Sequence, residues 1–288
     1  MTRYYTSPVD TLKSSDFLPL LQMAIQEDCP EHDITSESIF SETEMGKASL
    51  ISREEGILCG SGILLAIQVL YGESFSFFQQ VNEGHSISKG IEIARIEAPT
   101  RLLLRMERIL LNFIQYLSGI ASSVHKLVIQ YPNLLILDTR KTLPGYRKLV
   151  KYAVYTGGGA NHRIHLSDMA LIKDNHIALC GSITKTVKSI REKFPHKKIE
   201  VEIDTLSQLG EAISSEPDIL MLDNFSNPET EEAIKLIQSS GKKIRIECSG
   251  GITPEKLSFL SKFEDIGVSM GYLTHTTRFM DIGLDIEY

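Results

Sequence analysis

The chain has 288 residues, of which 42% are hydrophobic and 23% are charged, and its formal net charge at pH 7 is −7. These values are typical of a soluble globular protein with one large domain or two moderate ones. The negative charge opposes non-specific binding to nucleic acid or to an acidic membrane, and no stretch approaches the ~20 apolar residues that span a bilayer.

The cysteines and the first residues indicate the compartment. Cys29, Cys59, Cys180 and Cys248 form no CxxC pair and no pattern typical of disulfides, which indicates reduced thiols. The N-terminal sequence MTRYYTSPVDTLKSSDF has no apolar stretch of the signal-peptide kind. We therefore expect a cytoplasmic protein that binds neither nucleic acid nor membrane.

The first third of the chain predicts a loose arm, a helix and a small β-rich region. Residues 1–13 are polar and irregular, which favours a loosely held arm. Ser15 and Asp16 are suited to cap the helix that follows, because its apolar residues recur at helical spacing. Between residues 46 and 97, glycines separate short extended segments, with one helix around residues 63–70.

A long helix follows the β-rich region. Pro99 is suited to open it, since proline fits a first helical turn, and we expect the helix to end near Leu117. Arg101, Arg105 and Arg108 lie on one face of this helix, and its other faces are nearly all apolar. Two interpretations of the arginines stay open: a solvated stripe, or an anion site that at least one of them reaches.

From residue 134 onward, apolar strands alternate with helices. The six predicted strands cover residues 134–138, 170–172, 199–203, 218–222, 243–247 and 266–270, and helices of suitable length cover residues 183–193, 206–214, 228–239 and 254–263. Strand–helix alternation predicts a parallel sheet, and strands that are apolar nearly throughout predict burial on both faces. Six such units without a dinucleotide fingerprint favour a parallel α/β barrel.

Polar residues or glycines follow every one of these strands. In a parallel barrel the carboxyl ends of the strands share one rim, where active sites are built. Collecting charges at a rim costs desolvation energy unless a ligand needs them. The cations and potential cations are Arg140, Lys141, His162, Arg163 and Lys173; the carboxylates are Glu202 and Asp223; the small residues are Ser249, Gly250, Gly251 and Gly271.

The residue types at this rim divide by chemistry. Arginines and lysines suit phosphates and carboxylates, and arginine is preferred for planar bidentate contacts. Glycines between a strand and the helix start at Thr253 and Pro254 suit a phosphate cradle. The carboxylate pair suits Mg²⁺ on a diphosphate, or a developing positive charge on a sugar.

The glycine run at residues 157–159 stands just before His162 and Arg163. It matches neither a P-loop nor a GxGxxG turn, so a nucleotide motif is excluded. A flexible loop remains open as an interpretation, but two donors beside a permissive backbone favour a functional one. We exclude a zinc site at His162 and His165, because the sequence places no cysteine or acidic ligand set beside them.

Several segments resemble the quinolinate phosphoribosyltransferase family. The longest is LDTRKTLPGYRKLVKYAVYTGGGANHRIHLSDMALIKDNHI, which begins at Leu137. The others are ERILLNFIQYLSGIAS (107–122), VEID (201–204), LDNF (222–225), ECSGGI (247–252) and GYLTH (271–275), together with an N-terminal element, EDCPEHDIT. The resemblance runs from about residue 20 to the end, and the block from TRKT to KDNH is highly specific.

The resemblance implies a fold and a reaction. The fold is an N-terminal α/β sandwich (residues 1–115) joined to an incomplete parallel α/β barrel (116–275), with residues 276–288 packing back on the first domain. The reaction transfers the phosphoribosyl group of phosphoribosyl pyrophosphate to quinolinate with decarboxylation, giving nicotinate mononucleotide in NAD biosynthesis. The family also implies Mg²⁺ and a homodimer or higher oligomer with sites at the interface.

The resemblance also assigns roles to individual residues. The quinolinate carboxylates fall to Arg140, His162, Arg163 and Lys173, with Arg108 supplied by the neighbouring subunit. Lys141 contacts phosphoribosyl pyrophosphate, Glu202 and Asp223 lie beside the ribose and its Mg²⁺, and Ser249, Gly250 and Gly271 hold the 5′-phosphate. Lys141, Lys173, Glu202 and Asp223 are the expected catalytic residues.

Two positions depart from the family pattern. Residues 29–32 (CPEH) replace the glycines of an EDxGxGD loop, and Tyr272 stands where a small residue is usual. Neither departure removes a charged group, so they bear on loop geometry rather than on the reaction.

Three other functions compete with this one. A paralogue with the same fold could act on another pyridine-like acid, but the intact TRKT, NHR and KDNH elements argue against it. A Schiff-base aldolase could use Lys173 at a strand end, but Asp174 and the many other cations favour an anion clamp. A binding protein without catalysis would gain nothing from Glu202 and Asp223.

Overall fold

The structure, a computed structural model, describes residues 5–287. The chain folds into two compact units. The sandwich unit comprises Val9–Lys126, Lys141–Gly158 and the chain from Tyr272 onward. The barrel unit comprises Leu127–Arg140, Gly159–Gly271 and the described residues up to Pro8. Each unit therefore assembles from separate stretches of sequence.

The sandwich unit contains an antiparallel sheet with the strand order β12-β1-β5-β3. Its strands are β1 (Met45–Ser52), β3 (Ser76–Gln79), β5 (Glu92–Pro99) and β12 (Ile282–Ile286); a small second sheet pairs β2 (Gly56–Ile57) with β4 (Ser86–Ile87). Ala48 and Leu50 in β1 are fully buried, as two positions on the same face of a half-buried strand should be. β12 pairs with β1, with Leu284 opposite Leu50, so the C-terminal segment completes this sheet.

Helices complete the sandwich unit. They are α1 (Ser14–Asp28), α2 (Ile34–Ile39), α3 (Gly62–Tyr71), α5 (Arg147–Thr156) and α11 (Tyr272–His275), together with most of α4 (Thr100–Gln130). The expected capping residues, Ser15 and Asp16, lie inside the first helix, because α1 begins at Ser14. The Asp16 carboxylate accepts a hydrogen bond from the N–H of Lys13, the residue before the helix, at 2.9 Å.

Helix α4 is longer than its sequence suggests. The predicted end near Leu117 is wrong, because the small residues that follow allow close packing instead of ending the helix. The Ser118 hydroxyl donates to the Cys59 carbonyl at 3.1 Å and accepts from its N–H at 2.9 Å. A Cβ on Gly119 would lie 2.1 Å from the Arg278 carbonyl oxygen, so a larger residue would not fit there.

The barrel unit contains a parallel sheet with the strand order β6-β11-β10-β9-β8-β7. The strands are β6 (Leu134–Leu137), β7 (Ala170–Ile172), β8 (Ile199–Ile203), β9 (Ile219–Asp223), β10 (Arg245–Ser249) and β11 (Ile266–Ser269). The helices are α6 (Asp174–Cys180), α7 (Ile183–Lys193), α8 (Leu209–Ser214), α9 (Asn227–Ser239) and α10 (Pro254–Leu260). All five residues of β8 are buried, which confirms that this strand is covered on both faces.

The sheet of the barrel unit does not close. Within residues 5–287, no ladder joins the edge strands β6 and β7, and a single bridge from Ala160 to Leu137 extends the β6 edge. The predicted fold class, an N-terminal α/β sandwich with an incomplete parallel α/β barrel, is confirmed. In the same part of the chain, no helix has both the length and the apolar character needed to cross a membrane.

The start of the described chain belongs to the barrel unit. Tyr5 is only 2% exposed and packs with Leu137, Ala160, Met169 and Ile219. The expectation of a loosely held arm is therefore wrong at Tyr5, because an aromatic ring occupies apolar space inside the incomplete barrel; residues 1–4 lie outside the described part.

Candidate active site

The carboxyl ends of the six parallel strands carry the residues that the sequence singled out in the barrel unit. Arg140 follows β6, Lys173 follows β7, Glu202 lies near the end of β8 and Asp223 ends β9. Ser249, Gly250 and Gly251 end or follow β10, and Gly271 follows β11. Because parallel strands point the same way, these residues share one rim of the barrel unit.

A carboxylate cluster lies at the rim between β8 and β9. Oxygen atoms of Glu202, Asp204 and Asp223 all lie within 4.8 Å of one another. Lys173 Nζ donates to Glu202 Oε2 at 2.7 Å and supplies a counter-charge. Burial raises the pKa of Asp204, and the charges of Asp223 and Asp174 raise it further. The cluster therefore concentrates negative charge that a cation would relieve.

Glycines and an asparagine form the rim between β9 and β10. Gly250 and Gly251 both have positive φ angles, +73° and +55°. A Cβ on Gly250 would lie 2.2 Å from Asn224 Oδ1, so only glycine fits there. Asn224 itself has a φ of 56°, and its N–H donates to the Ser249 carbonyl at 3.0 Å. This close approach of two backbone turns leaves a small-residue surface beside Asp223.

A buried carboxylate holds the loop that carries His162 and Arg163. Asp138, fully buried after β6, accepts hydrogen bonds from Asn161 Nδ2 at 2.6 Å and from the His162 N–H at 2.9 Å. Ala160 pairs with the β6 edge through backbone bonds to Ile136 and Asp138. The loop is therefore ordered at its end by a buried carboxyl acceptor, although its glycine run predicts flexibility.

The two arginines of the rim lie close together. Arg163 is 7% exposed, and its Nη1 donates to the Met169 carbonyl at 3.2 Å. Burial lowers the pKa of Arg163, and the charge of Arg140 lowers it further. Among the described residues, the Nε atoms of both arginines are buried without a hydrogen-bond partner. Two guanidinium groups held together with unused donors suit an anionic ligand.

The His162 ring makes both of its hydrogen bonds inside the barrel unit. Nε2 lies 2.8 Å from Glu200 Oε2, and Nδ1 accepts from the Arg163 N–H at 2.8 Å. Because Nδ1 is an acceptor, the ring proton resides on Nε2 and is donated to Glu200. Glu247 Oε2 lies 3.9 Å from the same Nε2. The ring thus faces the two carboxylates with its Nε2 atom.

Glu200 and Glu247 form a buried carboxyl pair beneath the rim. Both are fully buried, and burial raises the pKa of each to about 8. Sequence analysis missed them, and our exclusion of a metal at His162 for want of acidic neighbours rested on a premise that the structure contradicts. The signal was present: side chains two apart on a strand share a face, so Glu200 and Glu247 lie one layer below Glu202 and Ser249.

Lys141 and the arginines of α4 belong to the sandwich unit. Lys141 is exposed, and its carbonyl accepts from Thr274 Oγ1 at 2.6 Å. Arg101 donates to the carbonyls of Phe40 (2.8 Å) and Glu37 (3.0 Å), so it ties α4 to the end of α2. Arg108 is exposed on α4. Arg101 thus fits neither interpretation of the arginine line, because it bonds to backbone carbonyls of the same unit; the anion site stays a prediction for Arg108.

Comparison with known families connects this geometry to a reaction. The family model described as quinolinate phosphoribosyl transferase, C-terminal domain, matches residues 120–285, and the N-terminal domain model of the same enzyme matches residues 33–118. A probable nicotinate-nucleotide pyrophosphorylase (carboxylating) of Bacillus subtilis (strain 168) is 41% identical over 273 residues, covering 93% of this chain and 92% of that protein. The nicotinate-nucleotide pyrophosphorylase (carboxylating) of Mycobacterium leprae (strain TN) is 36% identical, covering 88% and 91%.

Solved structures show the same similarity. The structure of the nicotinate-nucleotide pyrophosphorylase from Francisella tularensis superposes with a TM-score of 0.90 and is 34% identical. That match covers 98% of this chain and 100% of the other. NadC from Streptococcus pyogenes superposes with a TM-score of 0.88 and is 36% identical, covering 96% and 99% of the two chains.

Proposed function

The chain belongs to the quinolinate phosphoribosyltransferase family, and we infer from that membership that it joins quinolinate to the phosphoribosyl group of phosphoribosyl pyrophosphate. The products are nicotinate mononucleotide, pyrophosphate and carbon dioxide. The observation that carries the inference is one rim where the cations Arg140, Arg163 and Lys173 stand beside the carboxylates of Glu202 and Asp223. The descriptions of the two matching family models name quinolinate, which favours it over another pyridine-like acid.

We assign the two quinolinate carboxylates to Arg140, Arg163 and Lys173. Support comes from the unused Nε donors of the arginines and from their mutual repulsion, which an anion would relieve. Lys173 already makes a 2.7 Å bond to Glu202, so it can link the acid-binding region to the carboxylate cluster. The family assignment of His162 to a carboxylate is less well supported, because both of its ring nitrogens already have partners.

The carboxylate cluster fits Mg²⁺. Three carboxylates with oxygens within 4.8 Å of one another are the hard ligands that this cation prefers, and Asp204 joins the two residues expected from the sequence. We propose that Glu202, Asp204 and Asp223 hold it, in part through water and substrate. Bound there, it would neutralise charge on the departing pyrophosphate. With the ribose bound beside them, the same carboxylates would favour positive charge developing at its C1 atom.

The glycine surface after β10 suits the 5′-phosphate. Gly250 and Gly251 keep side chains away from the backbone N–H groups, and Ser249 adds a hydroxyl. We propose that these three residues and Gly271 bind the phosphate. We assign Lys141 to phosphoribosyl pyrophosphate on the family motif only.

Bond making and breaking in the proposed reaction follow from these assignments. The quinolinate nitrogen bonds to C1 of the ribose as the bond from C1 to pyrophosphate breaks. The ring nitrogen becomes a pyridinium, which accepts the electron pair released when the adjacent carboxylate leaves as carbon dioxide. A proton then replaces that carboxylate on the ring. The residues of the rim hold two anionic substrates together against their repulsion, which is much of the catalytic task.

We also propose a homodimer or higher oligomer in which Arg108 of one subunit serves the site of another. Its exposure on α4 is compatible with that role. Mixed Arg108→Ala and Arg140→Ala proteins, each inactive alone, should regain part of the activity once subunits exchange, because some sites then contain both arginines. Demonstrated exchange without any recovery would contradict a shared site.

The direct test supplies quinolinate, phosphoribosyl pyrophosphate and Mg²⁺, and measures carbon dioxide and nicotinate mononucleotide. Nicotinate, which lacks the second carboxylate, serves as the comparison substrate and should not react. Arg163→Ala should lower kcat/KM for quinolinate by about a hundredfold or more, because the partner charge of a carboxylate is lost. Arg191→Ala is the matched control, since it removes an arginine of the barrel unit that pairs with Asp218, before β9 begins. Turnover of nicotinate, or equal losses in both variants, would contradict the proposal.

A further inference from the structure

The interior of the incomplete barrel contains a residue from the start of the chain. Tyr5 is 2% exposed, its carbonyl accepts from Lys198 Nζ at 2.8 Å, and the neighbouring Thr6 hydroxyl donates to the Asn161 carbonyl at 3.3 Å. The bonds of the Tyr5 carbonyl and of the Thr6 hydroxyl give the start of the described chain a defined position. That position is beneath the loop that carries His162 and Arg163.

The sheet makes room for the Tyr5 hydroxyl at one strand. A Cβ on Gly267, in β11, would lie 2.3 Å from Tyr5 Oη and 3.2 Å from its Cζ. Position 267 must therefore be glycine as long as Tyr5 occupies this place, since any side chain there would displace the tyrosine ring. The Tyr5 hydroxyl lies near Glu247 without a good hydrogen bond, and burial together with the charges of Glu247 and Glu200 raises its pKa.

The Tyr5 ring packs on His162. The ring centroids are 5.8 Å apart and the planes are tilted by 57°. On its other sides the imidazole donates to Glu200 from Nε2 and accepts from the Arg163 N–H at Nδ1. Among the described residues, the imidazole thus contacts a carboxylate, a backbone N–H and an aromatic ring, and that ring comes from the start of the described chain.

We propose that Tyr5 is a positioning residue for quinolinate binding: by packing on His162 it keeps the imidazole on Glu200 and so holds the Arg163 backbone where its guanidinium meets the substrate. The proposal rests on the proposed function for the role of Arg163. Without the Tyr5 ring, a cavity opens beside the imidazole, the ring can rotate away from Glu200, and the Arg163 N–H loses its acceptor. Phosphoribosyl pyrophosphate does not depend on this contact in our assignment.

The first experiment compares Tyr5→Ala with Tyr5→Phe, which keeps the ring and removes only the hydroxyl. Tyr5→Ala should raise the KM for quinolinate and its dissociation constant by about tenfold and leave the KM for phosphoribosyl pyrophosphate within about twofold. Tyr5→Phe should change neither by more than about threefold. Equal changes for both substrates, or a loss of thermal stability with both KM values unchanged, would show a structural role and overturn the proposal.

The second experiment uses the glycine that receives the Tyr5 hydroxyl. Gly267→Ala should raise the KM for quinolinate as Tyr5→Ala does, because the new Cβ displaces the tyrosine ring. Adding Tyr5→Phe removes the atom at 2.3 Å and should recover most of the affinity, leaving the next contact, with Leu137, at 3.0 Å. No recovery in the double variant would mean that Gly267 acts independently of Tyr5. This pair keeps the test decisive even where Tyr5→Ala does not fold.

A third measurement separates this proposal from the proposed reaction. Hydrogen exchange of the Arg163 amide reports its bond to His162 without any turnover, and Tyr5→Ala should speed it while Tyr5→Phe does not. If the wild type fails to use quinolinate but the exchange result holds, the proposed function fails and the positioning survives. Metal analysis after chelation adds a check, because His162, Glu200 and Glu247 could also hold a metal ion. One tightly bound metal per chain that remains in Asp204→Asn but is lost in Glu247→Gln would make Nε2 a ligand and overturn the proposal.

Discussion

Removing the Asp138 carboxylate should both destabilise the protein and weaken quinolinate binding. In Asp138→Ala, the side-chain amide of Asn161 and the N–H of His162 lose their shared acceptor inside the protein. Each such bond contributes about 1.5–3 kcal/mol, and buried donors left without an acceptor bear the desolvation cost, so we expect a loss of about 3–5 kcal/mol. For a chain of this size that loss lowers the thermal midpoint by roughly 6–10 °C.

Asp168→Ala is the matched comparison. Asp168 also accepts two backbone bonds, from Ile164 at 2.7 Å and His165 at 2.9 Å, but it is half-buried and water can replace it. We expect Asp168→Ala to lower the free energy of unfolding by about 1–2 kcal/mol. Asp138→Asn should cost about half as much as Asp138→Ala, because an amide has only one acceptor oxygen. Urea unfolding and KM values measured in parallel test the reasoning, which is refuted if the two alanine variants lose equal stability.

Three further predictions concern pH, the glycine turn and the metal. Glu247 faces Tyr5, His162 and Glu200, and burial raises its pKa to about 8. Its proton therefore stabilises the folded protein fully below about pH 4.5, and this stabilisation is lost as the pH rises through about 8. Thermal midpoints should therefore fall with pH more steeply in the wild type than in Glu247→Gln; parallel curves would contradict this. Gly250→Ala should raise the KM for phosphoribosyl pyrophosphate far more than Gly251→Ala. Both glycines have positive φ, but a Cβ on Gly250 would lie 2.2 Å from Asn224 Oδ1, whereas a Cβ on Gly251 would lie 3.8 Å from it. Equal effects would show that the contact with Asn224 is not the cause. Chelation should abolish turnover, added Mg²⁺ should restore it, and Asp204→Asn should require more Mg²⁺ than wild type; an unchanged requirement would remove Asp204 from the site.

The parallel strands were predictable because the feature that marks each of them, a run of mostly apolar residues, lies within the strand itself. A buried strand between two helices is apolar at nearly every position, and the six predicted strands agree with the observed ones to within two residues at each end. The polar residues that follow them were found by the same logic, since chain direction alone puts them at one rim. The end of α4 was mispredicted because Ser118 and Gly119 are poor helix formers whose reason for being there, contact with Cys59 and Arg278, lies elsewhere in the chain.

Helix α5 shows a different failure. Its sequence, Arg147–Thr156, carries Leu149, Val150, Ala153 and Val154 at helical spacing, and all four are buried. We did not assign it because the segment lies inside the motif from TRKT to NHR, and the motif was interpreted for its charges. A pattern used as evidence for function was thus left unused as evidence for structure.

The layer beneath the rim marks the limit of sequence reasoning in this fold. Glu200 and Glu247 could have been found, because each stands two residues before a rim residue on the same strand and must face the same way. Tyr5 could not, since no periodicity connects it to Gly267 at the other end of the chain, and a polar chain start predicts solvent exposure. What makes the contact necessary is the missing closure between β6 and β7: an incomplete barrel leaves interior volume that strand side chains alone do not fill. The Tyr5 ring therefore fills space that the open sheet leaves inside the barrel unit. A variant without this ring should first change the position of His162, on which the ring packs.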